Sequence, residues 1–276
     1  MLSFLLPLAL MQVGPAPTTA PISPVPPELR DRPARNGVRT APMLDRAESR
    51  SAIEQCLDTA RTDPARARDF AAEWVGRTDG LQRAAGRHCL GVAAGNLGDW
   101  EAAAAAFVAA RDEAGGEVRF KARMGALAGS AYLASASYDD ALAALTTAHA
   151  DAAGDAALTG AIDLDKATAL VALGRLEEAK AALADARVAV PEDALAWLLS
   201  ATLARRMEDL PAAQAHIERA AQIDPRDPAI GLEAGVIAAL GGRDEAARKS
   251  FESVIAASAD GPLAERARTY LEQLGR

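Results

Sequence analysis

Five copies of one spacing pattern restrict what this chain can fold into more than any other feature of its sequence. Each copy has a small residue, a second small residue twelve positions later, a large apolar residue four positions further on and another core-sized residue three positions after that. The copies begin at Gly91, Gly129, Ala167, Ala201 and Gly235, so their starts lie 38, 38, 34 and 34 residues apart. Such an interval holds two helices and the turn between them. The pattern therefore predicts a row of helical hairpins.

The small residues recur for a physical reason. Two antiparallel helices approach closely only where both present a small side chain, and a large side chain then fills the groove beside the contact. The large residues of the five copies are Phe107, Leu145, Leu183, Ile217 and Phe251. Half of all residues are apolar, with much alanine, and only 4% are aromatic, which favours packed helices over a β-sandwich or barrel. Gly and Asp between the paired helices act as helix stop and start.

Further residues carry a likeness to a known motif. They are Leu90-Gly91, Tyr132 three residues after Gly129, Trp197 four residues before Ala201, and the unit-closing prolines Pro191 and Pro225. At these positions the chain resembles the tetratricopeptide repeat, a helix-turn-helix unit of about 34 residues. The resemblance implies an all-α fold in which about six units and about thirteen helices form a right-handed superhelix, an α-solenoid. Three residues depart from the family pattern: Gly125, Gly231 and Val254.

The unit boundaries follow from the spacing. Residues 84–261 hold the five clearer units, and residues 45–83 form a degenerate first unit, as expected of an end cap. After Gly261-Pro262, residues 262–276 have helical spacing and are predicted to form a closing helix that faces solvent. The predicted solenoid thus spans residues 45–276.

An apolar run at residues 2–13 opens the chain. It is too short to span a bilayer as a helix, and its length fits the core of a signal peptide. We therefore expect residues 1–20 to be a signal peptide, the protein to be exported to the periplasm, and the mature chain to lack an integral membrane span. A start codon placed too early and an uncleaved N-terminal anchor are the alternatives.

A proline-rich and arginine-rich segment follows this run. Eight prolines fall between Gly14 and Leu44, which predicts a disordered, extended linker at residues 21–44. Residues 30–50 carry six arginines and three acidic residues, while the whole chain has a net charge of −8. The rest of the chain is therefore strongly acidic and would repel phosphate backbones, so we expect no nucleic-acid partner.

The chain has two cysteines, Cys56 and Cys89, about one repeat apart. In a cytosolic protein they would be two buried thiols, and in an oxidising compartment they could form a disulfide if their Cα atoms come within about 7 Å. Both readings stay open at this point.

No group of residues has the spacing of a catalytic or metal site. His88, His149 and His216 lie in different units without a partner at metal-ligand spacing. The acidic pairs Asp139-Asp140 and Glu177-Glu178 begin second helices, where carboxylates stabilise the helix dipole. Neither a phosphate-binding loop nor a nucleophile elbow is present. We expect no enzyme activity, no metal and no cofactor.

In this family, partner peptides usually lie along the concave face, which the first helix of each unit lines. By resemblance, the groove residues are His88, Val92, Ala126, Ser130, Leu133, Leu164, Thr168, Val171, Leu198, Thr202, Arg205, Leu232 and Val236. This lining is mainly apolar, so it suits an apolar strand or a partner helix. Arg205 and Arg206 either hold an acidic group of the ligand or shield apolar neighbours with their stems.

Two functional hypotheses follow. The first is a non-catalytic protein–protein interaction scaffold of the cell envelope, with a peptide or partner helix in the groove. The alternative is a structural, self-associating repeat protein whose groove binds its own linker or another copy. The sequence identifies neither the partner nor the oligomeric state.

Overall fold

A computed structural model describes residues 51–257 and 260–275 of the chain. These residues form thirteen α-helices and contain no strand. The helices are α1 Ala52–Thr62, α2 Pro64–Arg77, α3 Gly80–Asn96, α4 Trp100–Glu113, α5 Val118–Ala134, α6 Tyr138–Asp151, α7 Ala156–Ala172, α8 Leu176–Ala189, α9 Ala194–Arg206, α10 Leu210–Ile223, α11 Pro228–Leu240, α12 Asp244–Ala257 and α13 Pro262–Leu274. The predicted signal peptide at 1–20 and linker at 21–44 lie outside the described residues.

Side-chain caps set where many of these helices begin. The carboxylates of Asp99, Asp155 and Asp209 each accept a hydrogen bond from the backbone N–H three residues later, at 3.1, 3.2 and 3.1 Å. Such a bond satisfies a donor that the first helical turn leaves without a partner. At the start of α1, Ser51 and Glu54 form a reciprocal capping box.

The turns inside the five clearer units share one backbone conformation. Gly98, Gly174 and Gly242 have positive φ there, as the predicted helix-stop role requires. At the matching positions of the other two units, Ala136 and Glu208 have φ of 59° and 63°. An L side chain costs about 1–2 kcal/mol in this left-handed region, so the tight turn imposes its geometry even where glycine is missing.

The helices pack in sequential order. Each first helix (α3, α5, α7, α9, α11) packs against the second helix of its own unit, and each second helix packs against the first helix of the next unit. First helices also touch one another across units, as α5 with α7 and α9 with α11 do. One face of the stack is therefore built from first helices. This arrangement confirms the predicted α-solenoid.

The predicted contact between small and large residues is confirmed inside the units. A Cβ added to Gly91 would lie 2.6 Å from the ring of Phe107, which is itself buried. Gly129 faces Leu145 and Gly235 faces Phe251 in the same way. Glycine at the first position therefore lets the two helices of a unit approach until the large side chain touches backbone.

The last helix closes the stack. α13 packs on α12 and α11, and the ring of Tyr270 lies 5.4 Å from that of Phe251. Ala264 and Ala267 lie on the buried side of α13, while its Glu265, Arg266 and Arg268 are exposed. Across the described residues, no helix combines the length and apolar character needed to cross a membrane.

Candidate functional site

The predicted groove residues lie on the five first helices α3, α5, α7, α9 and α11. Between α7 and α9 they border a cavity of about 150 Å³. Thr168, Val171 and Thr202 line it from the predicted set, and Leu199 and Arg206 line it beside them. An open, mainly apolar recess of this kind can accept an aliphatic side chain of a bound segment.

The remaining predicted residues differ in exposure. Leu164 and Leu232 are 7% and 5% exposed and belong to the core, so they support the face from beneath. Ser130 is exposed, and its hydroxyl donates a hydrogen bond of 2.6 Å to Asp165 of the next unit. Burial raises the pKa of Asp165, and this hydrogen bond opposes the rise. The partly buried members of the set are His88, Val92, Ala126, Leu133, Val171, Leu198, Thr202, Arg205 and Val236.

Arg205 has an internal partner. Its Nε and Nη2 atoms donate hydrogen bonds of 2.6 and 3.3 Å to the two carboxylate oxygens of Glu233, on the first helix of the next unit. Such a bidentate ion pair is the stronger form of an Arg–carboxylate contact. An acidic ligand would have to compete with Glu233 for this guanidinium. The neighbouring Arg206 is exposed and borders the recess instead.

His88 lies among aromatic rings near the start of the predicted groove. Its imidazole is 6.3 Å from the ring of Phe107 and 6.2 Å from that of Phe120. Burial lowers the pKa of His88, and the positive charge of Arg123 lowers it further. The side chain is therefore a neutral, partly buried aromatic at pH 7.

The two cysteines meet between α1 and α3. Cys56 and Cys89 have Cα atoms 6.1 Å apart and are placed as a disulfide, and both side chains are fully buried. That separation is typical of natural disulfides. The pair would tie the first helix of the stack directly to the third.

A second cavity, of about 310 Å³, lies between α8, α9 and α10 on the side of the second helices. We call it the seam cavity. It is lined by Lys180, Leu183, Ala184, Arg187, Ser200, Leu203, Ala204, Met207, Asp209, Ala212 and His216. Most of these residues are apolar. Lys180, Arg187 and His216 can carry positive charge, and Asp209 is the acid among them. None of the seam-cavity residues is in the predicted groove set.

Arg187 is the central polar group of the seam cavity. Its guanidinium carbon stands 5.3 Å from the ring centroid of Trp197, and its Nη1 donates a hydrogen bond to the hydroxyl of Ser200. Burial lowers the pKa of Arg187. His216 lies 5.7 Å from the same indole. Burial and then the charge of Arg187 lower the pKa of His216, with Asp209 acting in the opposite sense.

Arg187 occupies a repeat position that the sequence also marks with a basic residue in two earlier units. Arg111, His149 and Arg187 all lie eight residues after the second small residue of their units. Arg111 donates a hydrogen bond of 2.8 Å to Asp151, and Nδ1 of His149 lies 2.9 Å from a carboxylate oxygen of Asp163. A basic residue that recurs at one position of three successive second helices marks the seam between units.

The acids that pair with Arg111 and His149 come from two different repeat positions, and neither position holds an acid in the unit that follows Arg187. Asp151 lies ten residues after Ala141, and the matching residue ten after Ala213 is Ile223. Asp163 lies four residues before Ala167, and the matching residue four before Ala201 is Trp197. Among the residues that the structure describes, no carboxylate lies within ion-pair distance of Arg187. Arg187 therefore keeps an aromatic and a hydroxyl partner where its counterparts have acids.

No group of three or more His, Cys, Asp or Glu side chains within 51–257 and 260–275 is arranged to hold a metal ion. The three histidines have separate surroundings. His88 and His216 lie against aromatic rings, and His149 lies against Asp163.

A comparison with protein families finds one motif. Residues 164–228 and 198–262 match the family model of the tetratricopeptide repeat. No curated protein matches the chain significantly.

Solved structures with the same fold agree with this match. BtubC from P. vanneervenii superposes with a TM-score of 0.57 at 18% identity, covering 81% of this chain and 93% of its own. PilF of Pseudomonas aeruginosa gives 0.58 at 12% identity, with 80% and 100% covered. YrrB, described as a tetratricopeptide-repeat protein with an unusual peptide-binding site, gives 0.50 at 18% identity, with 79% and 98% covered. At these identities the likeness is one of fold.

Proposed function

Since the chain is a tetratricopeptide-repeat protein, we propose that it is a non-catalytic scaffold of the cell envelope that binds a peptide or a partner helix along its first-helix face. Its fold is that of a protein–protein interaction module. The finer statement depends on the recess between α7 and α9, because Thr168, Val171 and Thr202 converge there from two successive units. An apolar side chain of a bound segment would fill this recess while the segment continues along the stack.

Two further features support this face over the opposite one. First helices touch at two unit boundaries, α5 with α7 and α9 with α11, and residues of α7 and α9 border one recess. Ser130 and Arg205 are held by Asp165 and Glu233 of the following units, which fixes neighbouring side chains before a partner arrives. A surface ordered in advance loses less conformational entropy on binding. The peptide-binding description of YrrB agrees with the proposal but belongs to that protein.

The test places a photo-crosslinking amino acid at Thr168 in the full chain, expressed in its own cells. Thr168 is exposed and borders the recess. The matched control is Thr146, which is exposed on the second helix α6; both hydroxyls donate to the carbonyl four residues earlier. We expect a crosslinked partner protein from Thr168 and none from Thr146. Crosslinking from Thr146 alone would overturn the proposed face.

A substitution at the same pair gives an independent measurement. Thr168→Arg should weaken binding of the crosslinked partner at least tenfold, since a long cation would occupy the recess, whereas Thr146→Arg should leave binding unchanged. Both variants should melt close to the native temperature because both sites are exposed. Equal affinity for Thr168→Arg would contradict the assignment.

The alternative, self-association through the same face, predicts a different product. The crosslink from Thr168 would then join two copies of this chain. Light scattering on the chain with and without residues 21–44 distinguishes the two forms of this alternative. A mass that falls to the monomer when the segment is removed indicates a groove that binds the segment of another copy, and an unchanged dimer indicates contact between the folded units.

The envelope location is the part of the proposal that depends on residues 1–20. Export predicts a mature protein that lacks this segment, measured as intact mass after fractionation of the cells. An uncleaved anchor predicts the full mass in the membrane fraction. Full-length protein in the cytosolic fraction would reject export, and it would leave the proposed binding face standing.

A further inference from the structure

We propose that the seam cavity binds a monocarboxylate carried on a small apolar group, with Arg187 as the residue that holds the carboxylate. Arg187 lies outside the recess of the first-helix face, although Leu183 and Leu203 border both cavities. The proposal does not depend on the function proposed for that face. The argument rests on the unmatched charge of Arg187, the donors that remain open on it, and the apolar wall beside it.

The unmatched charge is a comparison within the molecule. At the same position of the two preceding second helices, Arg111 and His149 face Asp151 and Asp163 at 2.8 and 2.9 Å. A cation removed from water costs free energy that an acidic partner normally repays. Arg187 is partly buried in the seam, and within the described part of the chain it faces Trp197 and Ser200 instead. An anion supplied from outside would give Arg187 the acidic partner that Arg111 and His149 have within the chain.

The donors are available. A guanidinium carries five N–H groups in a planar fork that matches the two oxygens of a carboxylate. Within the described residues, the guanidinium donates one hydrogen bond, to Ser200. Trp197 contacts it through the aromatic ring of the indole. The Ser200 hydroxyl donates a hydrogen bond of 2.7 Å to the carbonyl oxygen of Ala196, so it accepts the hydrogen bond from Arg187 and orients the guanidinium. The cation–π contact with Trp197 uses none of the N–H groups in a conventional hydrogen bond, so those not bonded to Ser200 can bind a ligand.

The charge balance favours a monoanion. Asp209 is the acid among the lining residues, and its carboxylate already accepts the backbone N–H of Ala212 at the start of α10. Lys180 stands at the exposed rim. His216 is neutral at pH 7, since burial and the charge of Arg187 lower its pKa. One negative charge on the ligand would therefore balance the charge of Arg187, and a dianion would bring a second, unbalanced negative charge into the cavity.

The rest of the ligand follows from the wall. Leu183, Leu203 and Met207 line the cavity with several alanines. Their apolar surface gains free energy by covering an apolar group, at about 25 cal/mol for each Å² removed from water. A cavity of about 310 Å³ has room for a short aliphatic chain or an aliphatic side chain together with its carboxylate. The carboxylate could belong to a free acid or to the C-terminal residue of a polypeptide.

Calorimetric titration of the full chain tests the site with defined probes. Hexanoate and the tripeptide acetyl-Ala-Ala-Leu represent the two sources, and hexanamide and the amidated tripeptide are their neutral counterparts. We expect saturable binding of at least one acid and affinity at least tenfold lower for its amide, because a hydrogen bond to a charged group is lost. Tighter binding of the tripeptide would assign the site to a chain end, and tighter binding of hexanoate would assign it to a free acid.

Variants locate the site. Arg187→Gln should weaken the bound acid at least tenfold, while Arg111→Gln, at the same position of α4, should leave its affinity unchanged. Ala184→Leu fills the cavity without altering a charge and should also abolish binding, which keeps the test decisive if Arg187→Gln folds poorly. Absence of binding by both acids, binding of the amides at equal affinity, or full affinity in Ala184→Leu would overturn the proposal. Inorganic phosphate binding as tightly as hexanoate would overturn the apolar part of it.

Discussion

At the scale of single residues, glycine allows the two helices of a unit to approach closely because it has no side chain. Gly91 on α3 meets the ring of Phe107 so closely that an added Cβ would lie 2.6 Å from it. Because the ring is buried against neighbouring residues, it has little room to move away. The same closeness at Gly129 and Gly235 shows that these three units depend on a few atoms at one crossing point.

This contact predicts opposite effects for two glycine substitutions. Gly91→Ala should destabilise the fold by about 1–3 kcal/mol, the usual cost of overpacking a filled core. Gly76→Ala, on α2, places its Cβ in open space and should stabilise by about 0.4–1 kcal/mol by restricting the unfolded chain. Urea denaturation of both variants measures the difference. A Gly91→Ala protein as stable as Gly76→Ala would show that the helices are not in close contact at this point.

At the scale of elements, α1 has few packing partners and is fastened by specific bonds. α1 has eleven residues, and it packs mainly against α2 and α3. Cys56 and Cys89 join α1 to α3, and Asn96 at the end of α3 donates a hydrogen bond of 2.8 Å to the carbonyl of Ala60. These contacts make α1 to α3 one end of the stack.

Reduction of the disulfide should loosen this end. A loop closed over 33 residues contributes about 3–4 kcal/mol through the entropy of the unfolded chain. We expect a lower melting temperature in the presence of a reductant and protease cleavage that begins near α1. The double variant Cys56→Ala/Cys89→Ala is the control, since its melting temperature should be low and insensitive to the reductant. A native protein that is equally insensitive would indicate two free thiols.

At the scale of the whole described stack, stability passes from neighbour to neighbour. Helices contact those adjacent in the chain and the first helices of adjacent units, so a terminal helix covers the core of the unit beside it. α13 has this role at its end. Leu263, Tyr270, Leu271 and Leu274 pack on the cluster that contains Phe251. Arg248 adds a hydrogen bond of 2.9 Å to the carbonyl of Leu274.

Removal of residues 262–276 should therefore expose the core of the last unit. The loss of several partly buried large side chains is comparable to a large-to-small core substitution, so we expect a destabilisation of about 2–5 kcal/mol. Newly exposed apolar surface should also promote association, measured by light scattering. A chain that ends after Leu274 keeps α13 and is the control. Unchanged melting of the shorter chain would show that α13 does not act as a cap.

The architecture followed from the sequence alone because it depends on local regularities. Gly91 and Phe107 are sixteen residues apart, and one turn brings them together, so their spacing was enough to predict a helical hairpin and its crossing point. The turn at Glu208 has a left-handed backbone although no glycine is present, so the packing of the two helices determines its conformation there. The repeat interval identified that turn even so.

Only the tertiary structure decided how adjacent units use their surfaces. The family resemblance placed Leu164 and Leu232 in the same groove set as Thr168, yet packing buries the first two and leaves the third exposed. Arg205 pairs with Glu233, 28 residues later in the chain. Arg187 contacts Trp197, whereas Arg111 and His149 at the same repeat position contact acids. Periodicity within a unit determines which residues pack inside it. Contacts between units depend on how two surfaces meet, and that geometry is set by all the side chains between them.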